Sequence, residues 1–262
     1  MDQLVALDRW ALERTAQLQR EVTEAYRSYQ FHLIYQKVHN FCVVDLGGFY
    51  LDILKDRLYT TPANSLPRRS AQTVMMWIAE AMVRWLAPIL SFTAEEIWRA
   101  LPGSRPQSVF LSTWAELPEL PKSTEGRSVD WQALISLRAD VARELEQLRT
   151  QGTIGAPLDA EVDIYAAGEH FDTLNMLGEE LRFLLITSDA RVHKVTQAPQ
   201  DAVPAPTAAK NGVWLRVTPT SHAKCVRCWH RRKDVGSDPR HPELCVRCVS
   251  NVEGPGEQRR YA

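Results

Sequence analysis

The sequence predicts a mainly α-helical chain: a bundle of long helices, then a small α+β domain, then a compact C-terminal module built on cysteines. Three observations predict it. Apolar residues recur at helical spacing through roughly the first hundred positions. Glu161-Val162-Asp163-Ile164-Tyr165 then alternates polar and apolar side chains, as a half-buried strand does. Finally, four of the five cysteines fall after residue 224, as two Cys-x-x-Cys pairs.

Residues 1–103 make the bundle. Leu4, Leu7, Ala11, Leu18, Val22, Ala25 and Tyr29 form one stripe of an amphipathic helix. Phe31, Ile34, Val38, Phe41, Asp45, Phe49 and Ile53 continue the spacing, with Asp45 the only polar member. A basic loop is expected from Thr61 to Ser70, where Pro62 and Pro67 break helices beside Arg68 and Arg69. A third helix carries Val74, Trp77, Ile78, Ala81 and Trp85 on one face and stops near Pro88. Thr93-Ala94-Glu95-Glu96 has the form of a capping box, and Pro102-Gly103 ends the helix it opens. Spacing assigns Cys42, Trp77, Trp85 and Trp98 to the core, and the whole reads as a helical bundle.

Residues 104–128, rich in Pro, Ser and charge, are a connecting segment. Residues 129–198 make the α+β domain. Leu134, Leu137, Val141, Leu145 and Leu148 stripe a helix that Gly152 and Gly155 interrupt. The strand at 161–165 follows, then a helix with Leu174, Leu177, Leu181 and Leu184, and a short strand near Val192–Val195. Residues 199–221 are a linker with a strand at Val213–Val217, and residues 222–262 are the cysteine module.

Of the 262 residues, 45% are apolar and 24% charged, as in ordinary soluble globular protein. No apolar run approaches the ~18 residues of a membrane span. The N-terminus lacks a basic stretch leading into an apolar one, so a cytoplasmic chain is expected. Net charge is −1, but from His222 onward nine Lys or Arg stand against five Asp or Glu. A basic end on an acidic chain points to a polyanionic partner. There is no Gly-rich phosphate loop, no Gly-x-Ser-x-Gly elbow and no His-x-x-x-His pattern, so no residue is assigned a catalytic role.

Cys225-x2-Cys228 and Cys245-x2-Cys248 are separated by sixteen residues. Zinc takes four soft ligands in a tetrahedron at ~2.3 Å, and two such pairs supply that set. A closed four-thiolate site leaves no open position, so a single structural zinc is expected. In a reducing compartment such pairs read as metal ligands before disulfides. Arg227, Arg231, Arg232 and Arg247 favour the thiolate form. His222, His230 and His241 lie beside a ligand set that is already complete. Trp229 is expected to anchor the small core of the module ahead of serving as a stacking platform. The basic residues around the cysteines suit phosphate contacts or a solvated surface equally well.

NFCVVDLGGFYLDILKDRLYT, RRSAQT and LAPILSFTAEEIW resemble the anticodon-binding helical domain of class I synthetases for branched aliphatic amino acids. LEQLRTQGTIGAPLDAEVDIYA resembles the junction segment of those enzymes, with Gly152 where a lysine is common. KCVRCWHRRKDVGSDPRHPELCVRCVSNVEGPGEQRRYA looks like a C-terminal zinc domain found in bacterial isoleucyl-tRNA synthetases, not in the valyl and leucyl relatives. The resemblance covers nearly the whole chain.

It implies that the bundle grips the anticodon stem-loop of tRNA(Ile) and the zinc module closes over the anticodon end. On that basis Arg57, Arg68 and Arg69 in the bundle, and Arg227, His230, Arg231 and Arg247 in the tail, are the candidate RNA contacts. The HIGH and KMSKS signatures that bind ATP in the family, and its editing domain, are not in this sequence. Joining isoleucine to tRNA would therefore need a catalytic portion supplied in cis or in trans to a monomeric chain. A free-standing RNA-binding module and a zinc-stabilised protein-interaction module are the alternatives.

Overall fold

The computed structural model describes residues 3–120, 129–207 and 212–262. Parts of the expected connecting segment (104–128) and of the expected linker (199–221) lie outside these. The chain forms two compact units: Met1–Asp52 with Arg69–Lys122, and Ile53–Arg68 with Ser123–Ala262. Among the described residues, no helix is long and apolar enough to cross a membrane.

The first unit is helical. Helices α1 (Ala6–Arg27) and α2 (Phe31–Asn40) are joined at Tyr29, which has a φ of 56°. The second helix does not run on unchanged, as its spacing predicts. From Phe41 to Tyr50 the turns widen to a π-helix. Gly47 lies in that stretch, and a Cβ there would meet the Cys42 carbonyl oxygen, five residues back, at 3.0 Å. The fourfold spacing of Phe41, Asp45 and Phe49 suits the wider turn. Phe41 and Phe49 are buried, and Asp45 pairs with Arg14 at 3.0 Å. Helix α3 (Leu51–Thr60) follows directly, and from Ile53 on it belongs to the second unit.

The loop after α3 is shorter than its prolines suggest: α4 (Leu66–Leu86) already includes Pro67, Arg68 and Arg69. Proline is tolerated in a first turn because its missing N–H has no intrahelical partner there. The expected capping box is also absent. Helix α5 begins at Ser91, so Thr93 is already helical and Thr93 and Glu96 do not cap its start; Glu95 accepts from Ser108 Oγ at 2.8 Å and Val109 N at 3.1 Å.

Trp85 and Trp98 are fully buried, and their indole N–H groups reach Gln19 and the Pro106 carbonyl. Trp77 and Cys42, expected in the core, are only half-buried. Beneath these, Asp8 is wholly buried, accepting from Tyr50 Oη at 2.8 Å and from Ser70 Oγ, which also takes the Val5 N–H.

The second unit is α+β. Helix α6 (Trp131–Thr150) is capped by Asp130, whose side chain accepts from the Ala133 N–H. It ends where Gly152 takes a φ of 72° and Thr153 N returns to the Leu148 carbonyl, a Schellman closure. A four-stranded sheet of order β2-β1-β4-β3 follows, from β1 (Ala160–Ala166), β2 (Asp189–Lys194), β3 (Val203–Pro204) and β4 (Val213–Pro219).

Strand β2 runs parallel to β1, with Ile164 opposite Val192, and β4 runs antiparallel to it. Parallel neighbours require a crossover. It is made by α7 (Gly168–Asn175) and α8 (Leu181–Leu185), which spacing alone reads as one helix. Gly178, with a φ of 52°, lies between them.

Candidate metal centre and nucleic-acid interface

The cysteine module begins with two tight turns. Cys225 N donates to the His230 carbonyl and Trp229 N to the Cys225 carbonyl, both at 2.9 Å, folding Cys225–Cys228 into a knuckle. That fold gives Trp229 a φ of 67°, unusual for a bulky side chain. The second pair is presented by α9 (Val246–Glu253), with Cys245 at its N-cap and Cys248 on its inner face. Cys245 N donates to Cys225 Sγ at 3.4 Å, tying the knuckles together.

All four cysteines are buried, and their sulfurs lie within 4.8 Å of one another. Cys228 and Cys245 sulfurs are 3.7 Å apart, far beyond a disulfide bond. A tetrahedron of ~2.3 Å zinc–sulfur bonds has edges of ~3.8 Å, so the spacing fits zinc. Four thiolates packed this closely would repel one another, and a bound cation would offset that charge.

Gly236 closes the loop between the knuckles. Its φ is 79°, and a Cβ there would meet the Pro242 carbonyl oxygen at 2.9 Å. Gly236→Ala is expected to weaken the module by about 1–3 kcal/mol, read as a lower midpoint in thermal or chelator-driven unfolding.

The expected RNA contacts fare differently from one another. Arg57 is 1% exposed and His230 2% exposed, so both are interior residues of the second unit and not surface contacts. His230 packs edge-on against Phe183, at 5.5 Å between ring centres. Arg247 is largely buried and held bidentately by Asp56 at 2.7 and 2.8 Å, with Glu257 at 3.1 Å. Arg231 is half-buried on Asp159 at 2.7 Å. These guanidiniums are occupied by carboxylates that spacing along the chain could not reveal.

Arg68 is half-buried and Arg69 exposed. Arg227 is exposed and donates to the Tyr59 and Thr60 carbonyls at 3.4 and 3.2 Å, the free C-terminal end of α3. Trp229 is 62% exposed, with Lys224 Nζ 5.6 Å from its ring centre, so it does not anchor the core as expected. Tyr59 is 77% exposed.

Sequence reasoning missed Asp56 altogether. It faces Arg247, Arg259 at 2.7 Å, and His230 at 3.8 Å. Burial pushes against its ionisation, yet the Arg247 charge and hydrogen bond outweigh burial and hold its carboxyl at about 2. Arg259 lies over the Phe183 ring at 3.3 Å. Glu180 accepts the backbone N–H groups of Arg260, Tyr261 and Ala262 at 2.8–2.9 Å. The only sequence signal was the KDRLYT stretch, where resemblance drew attention to Arg57 and not to the aspartate beside it.

The profile of the anticodon-binding domain of tRNA ligases matches residues 8–164, and that of a zinc finger found in FPG and IleRS matches residues 224–251. The chain is 55% identical to an isoleucine-tRNA ligase of Nitrosococcus oceani over 260 residues, 99% of this chain and 27% of that protein. It is 56% identical to that of Thioalkalivibrio sulfidiphilus over 99% of this chain, and 54% identical to that of Teredinibacter turnerae over all of it. It spans 28% of each of these two relatives and aligns with the C-terminal part of the ligases. One profile thus covers more than half of the chain and the relatives align along nearly all of it, and the chain belongs to the anticodon-binding domain family of tRNA ligases.

Proposed function

We propose that this chain is the part of an isoleucine-tRNA ligase that holds the anticodon end of tRNA(Ile), with one structural zinc in its C-terminal finger. The ATP-dependent joining of isoleucine belongs to the remaining three-quarters or so of such a ligase, which acts in the cytoplasm. The observation that carries the reading is the exposed surface where the first knuckle meets the end of α3. Arg227 binds the Tyr59 and Thr60 carbonyls, and the Tyr59 and Trp229 rings both stand free in solvent. Single-stranded loops are bound by stacking bases on aromatic rings beside cations that meet the phosphates. Of the candidate contacts, Arg227 and Arg68 in the second unit remain accessible for this role, and Arg69 is an exposed candidate of the first unit.

The test is fluorescence anisotropy with labelled anticodon stem-loops of isoleucine tRNA and of a non-cognate tRNA. Trp229→Ala is expected to lose about 1–3 kcal/mol of binding, the value of one base-aromatic stack. Affinity should fall steeply with salt, because phosphate contacts release counterions. Equal, weak binding of both RNAs would sink the anticodon reading. Salt-independent binding would favour a protein-interaction module instead.

A further inference from the structure

Most of the arginines gathered in the second unit are tightly matched. Arg247, Arg259 and Arg231 each have a carboxylate oxygen at 2.7 Å. Arg182 and Arg232 are not. Arg182 is 6% exposed, at the start of α8. Its Nε donates to the Glu179 carbonyl at 3.2 Å, and among the described residues nothing accepts from its two Nη groups. Its nearest carboxylate oxygen, Glu179 Oε2, stands off at 3.6 Å.

The same oxygen is 3.7 Å from Arg232 Nη2. Arg232 otherwise reaches the Ser188 carbonyl at 3.3 Å, Asp189 at 3.4 Å and Asp234 at 3.9 Å, all beyond a good charge-assisted bond. Glu179 itself is 73% exposed on its side chain. Two guanidiniums, one of them buried, thus share one exposed carboxylate, Glu179, that is close to neither, and Arg232 meets Asp189 and Asp234 only loosely. Burial and the nearby charges of Arg232 and Arg247 lower Arg182 to about 10, as expected of a cation short of counter-charge.

We infer that Arg182 and Arg232 form a binding site for a phosphate-type oxyanion, which displaces the Glu179 carboxylate and is gripped from both sides. Guanidinium forks match phosphate oxygens, and the Phe183 ring, 4.4 Å from the Arg182 guanidinium carbon, fixes one fork in place. The phosphate can be free in solution or a phosphodiester of a bound RNA strand. The second source rests on the proposed RNA-binding role; the site itself does not.

Glu179 makes the test specific, since it competes with the ligand. Titration of the full chain with inorganic phosphate, followed by calorimetry, should give about threefold tighter binding for Glu179→Gln and about tenfold weaker binding for Arg232→Gln. The double variant should resemble Arg232→Gln. Phosphate affinity unchanged or weakened in Glu179→Gln, or unchanged in Arg232→Gln, would overturn the site. Both substitutions leave the buried Arg182 side chain in place and change mainly charge, and an unchanged thermal midpoint checks that the fold is kept.

In a parallel titration with an anticodon stem-loop RNA, Arg232→Gln should lower the slope of log affinity against log salt by about one if a strand phosphate occupies the site. An unchanged RNA slope with altered phosphate affinity identifies free phosphate as the ligand. If the unaltered chain binds phosphate with this signature but no RNA, the RNA-binding reading fails and the oxyanion site stands.

Discussion

Removing zinc with a chelator, or replacing Cys245 by Ser, is expected to unfold Cys225–Glu253 and to loosen the end of helix α3 with it. Apparent binding energies of structural zinc sites reach ~10–16 kcal/mol, as large as the whole stability of a typical domain. The module has little else to replace it. Among the described residues, its apolar cluster is the four cysteines with Val235 and Leu244 packed against them. Without the metal, the thiols cannot all ionise in one buried site, and the knuckle turns lose their anchor.

The effect should spread to α3 because Arg227, Arg247 and Arg259 are its partners at Tyr59, Thr60 and Asp56. It should stop there. Helices α1, α2 and α5 belong to the other unit, around Trp85 and Trp98. Hydrogen exchange with and without chelator reads this directly. Protection should vanish over residues 222–262, fall over 56–62, and persist in α1 and α2. Unchanged protection of the cysteine segment after one equivalent of zinc has been removed would refute a structural metal.

Asp56→Ala is expected to cost about 3–5 kcal/mol, the penalty for leaving a buried charge without its partner. Here two are left, since the one carboxylate meets both Arg247 and Arg259. Glu257 remains at 3.1 and 2.7 Å, which limits the loss to a part of the network. The pH dependence carries the same signature. The folded carboxyl titrates at about 2 against an ordinary value of 3.8.

A depressed pKa stabilises the fold above the unfolded value, and this stabilisation disappears as pH falls from about 4 through 2. The linked energy is about 2 kcal/mol. Urea unfolding of the second unit should therefore weaken over that window in the unaltered protein, and the part due to residue 56 should be missing in Asp56→Asn. A stability at pH 7 within 0.5 kcal/mol of the unaltered chain, for either substitution, would show the network to be a surface arrangement of the ordinary weak kind.

Much of the fold was legible because burial imposes a period. Leu7, Ala11, Leu18, Val22 and Ala25 of the first stripe are buried where the period places them, as are Leu134, Leu137, Val141 and Leu145, but Leu4 and Leu148 are half-buried and Tyr29, past the end of α1, is exposed. The alternation at 161–165 gave a strand, though Asp163 and Tyr165 are buried too, Asp163 by pairing with Arg191, His193 and Arg216. Periodicity erred where backbone geometry departs from a plain helix. It cannot distinguish a π-helix from an α-helix over one or two turns, nor see that Gly178 divides α7 from α8. It also placed Pro67 in a loop, although a proline in a first turn leaves a helix intact.

The sequence by itself determined the four-cysteine cluster, since two pairs at those spacings can close on one tetrahedral ion and their neighbours on the chain carry them there. It also determined the family, because long stretches of both the bundle and the finger must be kept together to be recognised. It could not determine which arginines face RNA. A charged residue's role depends on what stands within about 4 Å of it, and for Arg247 and Arg259 that is Asp56, 191 and 203 positions away along the chain. Only the tertiary structure brought that carboxylate to them. By the same contacts it left Trp229, Tyr59 and the loosely paired Arg182 and Arg232 as the groups with capacity to bind something else.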